Sequence, residues 1–349
     1  MGPGSLPLAA HYDALYAASA RGDAATAHAA FLALVGLGPR RTVSAVPTTP
    51  PPARAPLVRY DRPRRVDLLA LTHGGRDVAK FEDLTAPQAE ALTARLRAAG
   101  LRVVRTGPYT KRFDVALSTD GVPGYYAVIA SRGREADAVA EAERDRGPEG
   151  TRRAGLALGY PPCCIDRFVA VAAGSAAQSE GINEAALRAS VGAGVLPWTL
   201  NPLAQDAPVG FTPCGPACPA ARAFAARVLA AVERAEPGAT ARLRTVLSRP
   251  VLFFRYGVFY ALDGAEAPGV TVPAARYVRA VPHGLGPPGP LDAWQHDELG
   301  APLAAGDTVS LGPDALTVTR MGDIVARWTL SDPHIPRLLR FHDTGALTA

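Results

Sequence analysis

The segment Leu158-Gly159-Tyr160-Pro161-Pro162-Cys163-Cys164-Ile165-Asp166-Arg167-Phe168 holds the one adjacent cysteine pair of the chain, directly behind two prolines. Proline is favoured in the first helical turn, because the N–H it lacks would find no partner there. A helix therefore starts at Pro161-Pro162, with Cys163 and Cys164 near its second and third positions and Cys164, Phe168 and Val171 along one side. The other two cysteines follow about fifty residues later, in Pro213-Cys214-Gly215-Pro216-Ala217-Cys218-Pro219-Ala220-Ala221-Arg222. Pro219 predicts a second helix start with Cys218 at its N-cap, and Phe224, Val228 and Val232 then recur every four residues.

A helix N-terminus carries about half a positive charge and several unpaired N–H groups, both of which favour a thiolate. Two such termini bearing four sulfurs predict a metal or iron–sulfur site ligated by Cys163, Cys164, Cys214 and Cys218. All-thiolate donor sets suit zinc and iron–sulfur clusters alike, so the cofactor is either of these. Cys214 and Cys218, with three residues between them, have a spacing common among zinc ligands. The adjacent pair fits one ion less easily, since neighbouring helical Cβ directions diverge by about 100°. The two cysteines would serve different irons of one cluster, or one would bind while the other packs or reacts. Arg167 and Arg222 each lie four residues beyond a cysteine and share its helix face, which makes them candidates for binding an anionic cofactor or substrate. Asp166 reads as an exposed acid at a helix start. Two further readings stand beside the metal site: a metal-free thiol–disulfide oxidoreductase, and a zinc-stapled interaction scaffold. Whether the protein is an enzyme stays open at this level.

The Gly-Tyr-Pro-Pro-Cys-Cys run at 159–164 and the Pro-Cys-Gly-Pro-Ala-Cys run at 213–218 resemble the signature of an uncharacterised prokaryotic family, a domain of unknown function. That family carries Gly-Tyr-Pro-x-Cys-Cys and a later Pro-Cys-x-x-x-Cys. The resemblance covers residues 150–265 or so, with Leu200-Asn201 between the motifs, and implies that the cysteines matter without implying a substrate.

Outward from the cysteines, the chain predicts an α+β protein: a small α/β sheet domain, a helical cysteine-bearing middle and a β-rich C-terminal module. Residues 1–46 form an N-terminal helical segment, with helix expected over 7–36, and the proline-rich run 47–56 reads as an extended linker. Residues 57–133 form the small α/β domain. Its strands are expected at Val66–Leu71, Leu101–Val104, Phe113–Leu117 and Tyr125–Ile129, and Thr85-Ala86-Pro87-Gln88 opens a helix through a capping box. Residues 134–248 are helical, apart from the turn-rich Leu196–Pro202, where Trp198 and Asn201 either shape a turn or approach the cysteines. Residues 249–349 alternate with period two at Val251–Phe254, Tyr256–Leu262, Thr308–Leu311, Leu316–Val318 and Ile324–Trp328, with a loop near 282–290.

The chain of 349 residues carries a formal net charge of +5, yet this does not point to nucleic acid. Lys80 and Lys111 are the only lysines, the arginines are interspersed with acids, and no long block of like charge occurs. Arg62-Pro63-Arg64-Arg65 is the densest basic cluster and reads as the flank of a strand. No apolar run approaches the ~20 residues of a membrane span, and the N-terminus lacks the pattern of a secretory signal. These features predict a cytoplasmic protein with no membrane partner and no identifiable macromolecular one. None of the seven histidines lies between Cys163 and Cys218; His73, in a loop after an apolar run, is the one with a possible place in a cleft. No glycine-rich phosphate loop, nucleophile elbow or paired-carboxylate constellation is present.

Overall fold

The computed structural model describes residues 64–109, 124–145, 147–173, 195–203, 206–253, 259–262, 301–312 and 314–329, with short pieces at 41–44, 58–59, 271–273, 277–281 and 337–342 and scattered helical positions at 14, 26, 29, 186, 187, 189 and 190. The expected N-terminal helix, apart from those scattered positions, lies outside the described residues, as do the linker at 47–56, the strand at 113–117 and the loop at 282–290. The fold is α+β. Among the described residues, no helix is long and apolar enough to cross a membrane.

Strands β1 (Arg41–Ser44) and β2 (Val58–Arg59) precede helix α1 (Arg65–Thr72), which leads to β3 (Val78–Leu84), α2 (Ala86–Ala98), β4 (Arg102–Tyr109) and β5 (Tyr125–Ser131). The last three strands pair antiparallel in the order β3-β5-β4. Alternation along β5 explains how it is buried on both faces. Val128 and Ala130 face Ala89, Leu92 and Leu96 of α2, while Ile129 faces Ala136 and Val139 of α3 (Glu135–Ala142). The capping box that opens α2 is formed: Gln88 N–H donates to Thr85 Oγ1 at 3.3 Å, and Thr85 N–H donates to Gln88 Oε1 at 2.9 Å. Ser131, fully buried, accepts the Ala136 N–H at 3.0 Å and so satisfies one orphan donor at the start of α3.

Val66–Leu71, expected as a strand, is helix α1. A short apolar run buried on several sides does not reveal its period. Val66 and Ala70, four residues apart, pack towards the cysteine-bearing core, whereas Leu71 packs on the three-stranded sheet. The strand beside this helix is the later Val78–Leu84.

Helices α4 (Pro148–Ala157), α5 (Pro162–Ala172), α6 (Pro219–Ala235) and α7 (Ala239–Leu247) make up the middle of the chain. Strand β6 (Val195–Pro197) and a 3-10 turn (Trp198–Leu200) lie between α5 and α6. Beyond α7 come β7 (Val251–Phe253), β8 (Phe259–Leu262), β9 (Thr271–Pro273), β10 (Tyr277–Val281), the short helix α8 (Ala301–Ala305), β11 (Thr308–Leu311), β12 (Ala315–Arg320), β13 (Asp323–Thr329) and β14 (Arg337–His342). They build a five-stranded sheet β1-β13-β12-β11-β9 and a six-stranded sheet β2-β10-β8-β7-β14-β6.

The C-terminal strand ties the β-rich part to the helices. β14 runs parallel to β6, pairing Phe341 with Leu196, and antiparallel to β7, pairing Leu338 with Leu252. Leu339 and Phe341 thereby join a core with Leu196, Trp198, Leu229 and Leu247. Trp198 and Asn201 belong to this scaffold: buried Asn201 donates to the Leu247 carbonyl at 2.9 Å and accepts the Leu203 N–H at 3.0 Å. Truncating a buried phenylalanine costs about 3–5 kcal/mol through lost transfer energy and the cavity left behind. Phe341→Ala is expected to reduce unfolding stability by that amount in urea titration, and a change below about 1 kcal/mol would show that β14 is not part of this core.

Candidate metal centre

The two cysteine motifs fold as helix starts for the reasons read from their prolines. Helix α4 ends at Ala157 with Leu158 as its C-cap, and Gly159 takes a left-handed conformation (φ +72°) that side-chain-bearing residues rarely adopt. The chain then reverses through Tyr160 into Pro161, the N-cap of α5, so that Cys163 and Cys164 fall at the second and third helical positions. The two helices touch closely at Gly155, where a Cβ would lie 2.9 Å from Ile165 Cγ1. On the other side, Cys218 is the N-cap of α6, and its sulfur accepts the Ala221 N–H at 3.4 Å.

All four sulfurs converge, each within 4.8 Å of the others. Cys163 Sγ lies 4.0 Å from Cys164 Sγ and 3.6 Å from Cys218 Sγ, and Cys164 Sγ lies 3.8 Å from Cys218 Sγ. The adjacent pair thus reaches a common point after all. The Cβ directions diverge, but the point lies off the end of the helix, where side-chain rotation in the first turn brings both sulfurs together. Cys214 approaches from its loop, and its backbone N–H donates to Cys164 Sγ at 3.4 Å. A donor set of four cysteines at this spacing could hold one metal ion.

No disulfide forms among the four cysteines; Cys164 and Cys218 are buried, Cys214 is half-buried and Cys163 is exposed. Burial pushes the Cys164 thiol well up, outweighing the hydrogen bond it receives from the Cys214 N–H. Burial also raises Cys214, to about 11, with the neighbouring Cys218 and Cys163 sulfurs adding to the rise. Cys218 moves the other way: burial opposes its ionisation, but the Ala221 N–H and the surrounding thiols stabilise its thiolate and win. A negative charge at Cys218 is thus favoured by its place at a helix N-terminus.

Arg222, a candidate for an anionic ligand, donates to the Pro216 carbonyl at 3.1 Å and so braces the loop between Cys214 and Cys218. Arg167 is exposed on α5, one turn beyond Cys163. Asp166 pairs with Arg152 of α4 at the surface. His73 stands exposed at the C-terminus of α1, where its Nδ1 lies 3.1 Å from the Leu69 carbonyl oxygen.

A buried charged network beside the cysteines was not foreseen. Asp67 and Arg76 are 1% and 6% exposed, and they form an ion pair. Arg64 adds a second contact to Asp67 at 3.3 Å and also donates to the Val209 carbonyl at 3.3 Å. The basic cluster around Arg64 therefore opens a helix and braces a loop. The Arg76 guanidinium stacks 5.8 Å from the Tyr160 ring and 5.4 Å from that of Phe224, and Phe211 completes the aromatic group at 4.9 Å from Tyr160. Loop 207–213 is thus held on α1, with Tyr160 of the first cysteine motif packed alongside. The available signal was an aspartate inside an apolar run, since a buried acid requires a partner.

Comparison with family models, curated proteins and solved structures returned no match.

Two outcomes follow from this geometry. Metal ligation requires deprotonated sulfur, and the raised Cys164 and Cys214 thiols are protonated near neutrality. Titrating zinc at about pH 7 in buffers of differing ionisation enthalpy should therefore show release of roughly two protons or more, with apparent affinity rising as pH increases. Affinity independent of pH and of buffer would contradict the assignment of these thiols as ligands. Separately, Asp67→Asn leaves Arg76 buried without its counter-charge, which should cost about 3–5 kcal/mol in chemical denaturation. Wild-type stability in that variant would remove the network from any role in holding the site.

Proposed function

We propose that this is a metal-binding protein of the reducing cytoplasm, whose four cysteines hold a single zinc(II) ion that fastens α5, α6 and the Cys214 loop together. The separation of the sulfurs carries the reading. A tetrahedral ion with zinc–sulfur bonds of about 2.3 Å sets its ligand sulfurs about 3.8 Å apart. The three distances among Cys163, Cys164 and Cys218 are 3.6, 3.8 and 4.0 Å. An iron–sulfur cluster puts its own irons and sulfides between the thiolates and spreads them well beyond that separation. Two helix N-termini offset part of the charge of about −2 that four thiolates leave on a divalent ion. Thiolate ligands persist in a compartment where glutathione opposes disulfides.

The purified protein is expected to be colourless with one zinc per chain, and to show the visible bands of tetrahedral tetrathiolate coordination after cobalt(II) exchange. Cys164→Ala and Cys214→Ala should each fall well below stoichiometric metal. Iron with acid-labile sulfide would replace the single ion by a cluster. A metal-free protein with a titratable dithiol would replace it by redox chemistry.

A further inference from the structure

The four sulfurs differ in what surrounds them. Cys164 and Cys218 are buried and each accepts a backbone N–H, from Cys214 and Ala221 respectively, both at 3.4 Å. Such bonds engage a lone pair that an attacking sulfur would use, and burial keeps an incoming molecule away from both. Cys214 is half-buried in a loop closed by the Cys218 N–H to Gly215 carbonyl bond at 3.3 Å and by Arg222 on Pro216. Cys163 is exposed, and among the described residues the polar neighbours of its sulfur are the other sulfurs of the site.

A divalent ion keeps its cysteine ligands deprotonated at neutral pH, and four of them leave excess negative charge on the sulfurs. Electron-rich sulfur is thereby available at Cys163, the most exposed of the four positions. Arg167 is exposed and shares the helix face of Cys163, one turn further on.

Resting on the zinc reading, we propose that Cys163 is the reactive thiolate of the centre and accepts an alkyl group from alkyl esters of oxyacids. Cys163 Sγ supplies the electron pair of the new sulfur–carbon bond. The carbon–oxygen bond of the ester breaks, and its electron pair departs with the oxyacid anion. No proton, oxidant or reductant takes part. The product is a neutral thioether at Cys163, so the negative charge of the site falls by one unit, from about −2 to about −1. Arg167, exposed one turn beyond Cys163, is the cation on that helix face that would favour the departing oxyanion.

The test uses the zinc-loaded full chain and methyl methanesulfonate, with peptide mapping by mass spectrometry over time and metal content measured on the same samples. Cys163 should gain one methyl group at least about tenfold faster than any other cysteine, as exposure and thiolate character govern such attack. Arg167→Ala should slow that methylation by about threefold with zinc content unchanged. One zinc per chain with methyl groups spread evenly over the four cysteines, or with Cys163 untouched, would overturn the proposal while leaving the zinc reading intact. A chain that never takes up zinc would remove the zinc reading itself, and this proposal with it.

Discussion

Everything in the middle of this fold is organised by the convergence of two helix N-termini on one group of sulfurs. Pro162 and Pro219 each occupy a first helical position, which fixes where α5 and α6 begin. The cysteines attached to those starts are therefore placed by backbone geometry rather than by flexible loops. Partial positive charge at both termini makes the meeting point hospitable to thiolate. Burial of Cys164 and Cys218 makes the same point hostile to unpaired charge. A cation shared among the sulfurs would reconcile the two demands.

The surroundings hold that meeting point from several directions. α1 packs on α6 through Val66 and Ala70, and its Asp67 pairs with Arg64 and Arg76 to steady the loop that leads into Cys214. The three-stranded sheet presents one face to α2 and the other to α3, and Leu158, at the end of α4, packs into the core shared with α3. On the far side, β14 inserts between β6 and β7, which brings the C-terminal residues Leu339 and Phe341 against α6 and α7. The part of the chain furthest in sequence thus supports the helices that carry the cysteines.

Much of this was legible in the residues. Proline positions located both cysteine-bearing helix starts, Thr85 and Gln88 located a capping box, and period-two alternation located several C-terminal strands. What escaped depended on tertiary surroundings. Val66–Leu71 is apolar nearly throughout because different residues face different cores, and such a run carries no readable period. The pairing of β14 with β6 joins residues more than 140 positions apart, and no local pattern announces it. Both cysteine pairs were named from sequence, but that Cys163 and Cys164 share a point follows from side-chain geometry at a helix end. The charged network of Arg64, Asp67 and Arg76 was hidden because arginine is abundant throughout the chain, so no single one stands out.

The central claim is that folding gathers four sulfurs around one ion. X-ray absorption at the metal edge of the purified protein tests it most directly. The account predicts a single shell of four sulfurs at about 2.3 Å from a zinc ion, with no second metal nearby. A short metal–metal distance, or a shell dominated by nitrogen and oxygen, would contradict it.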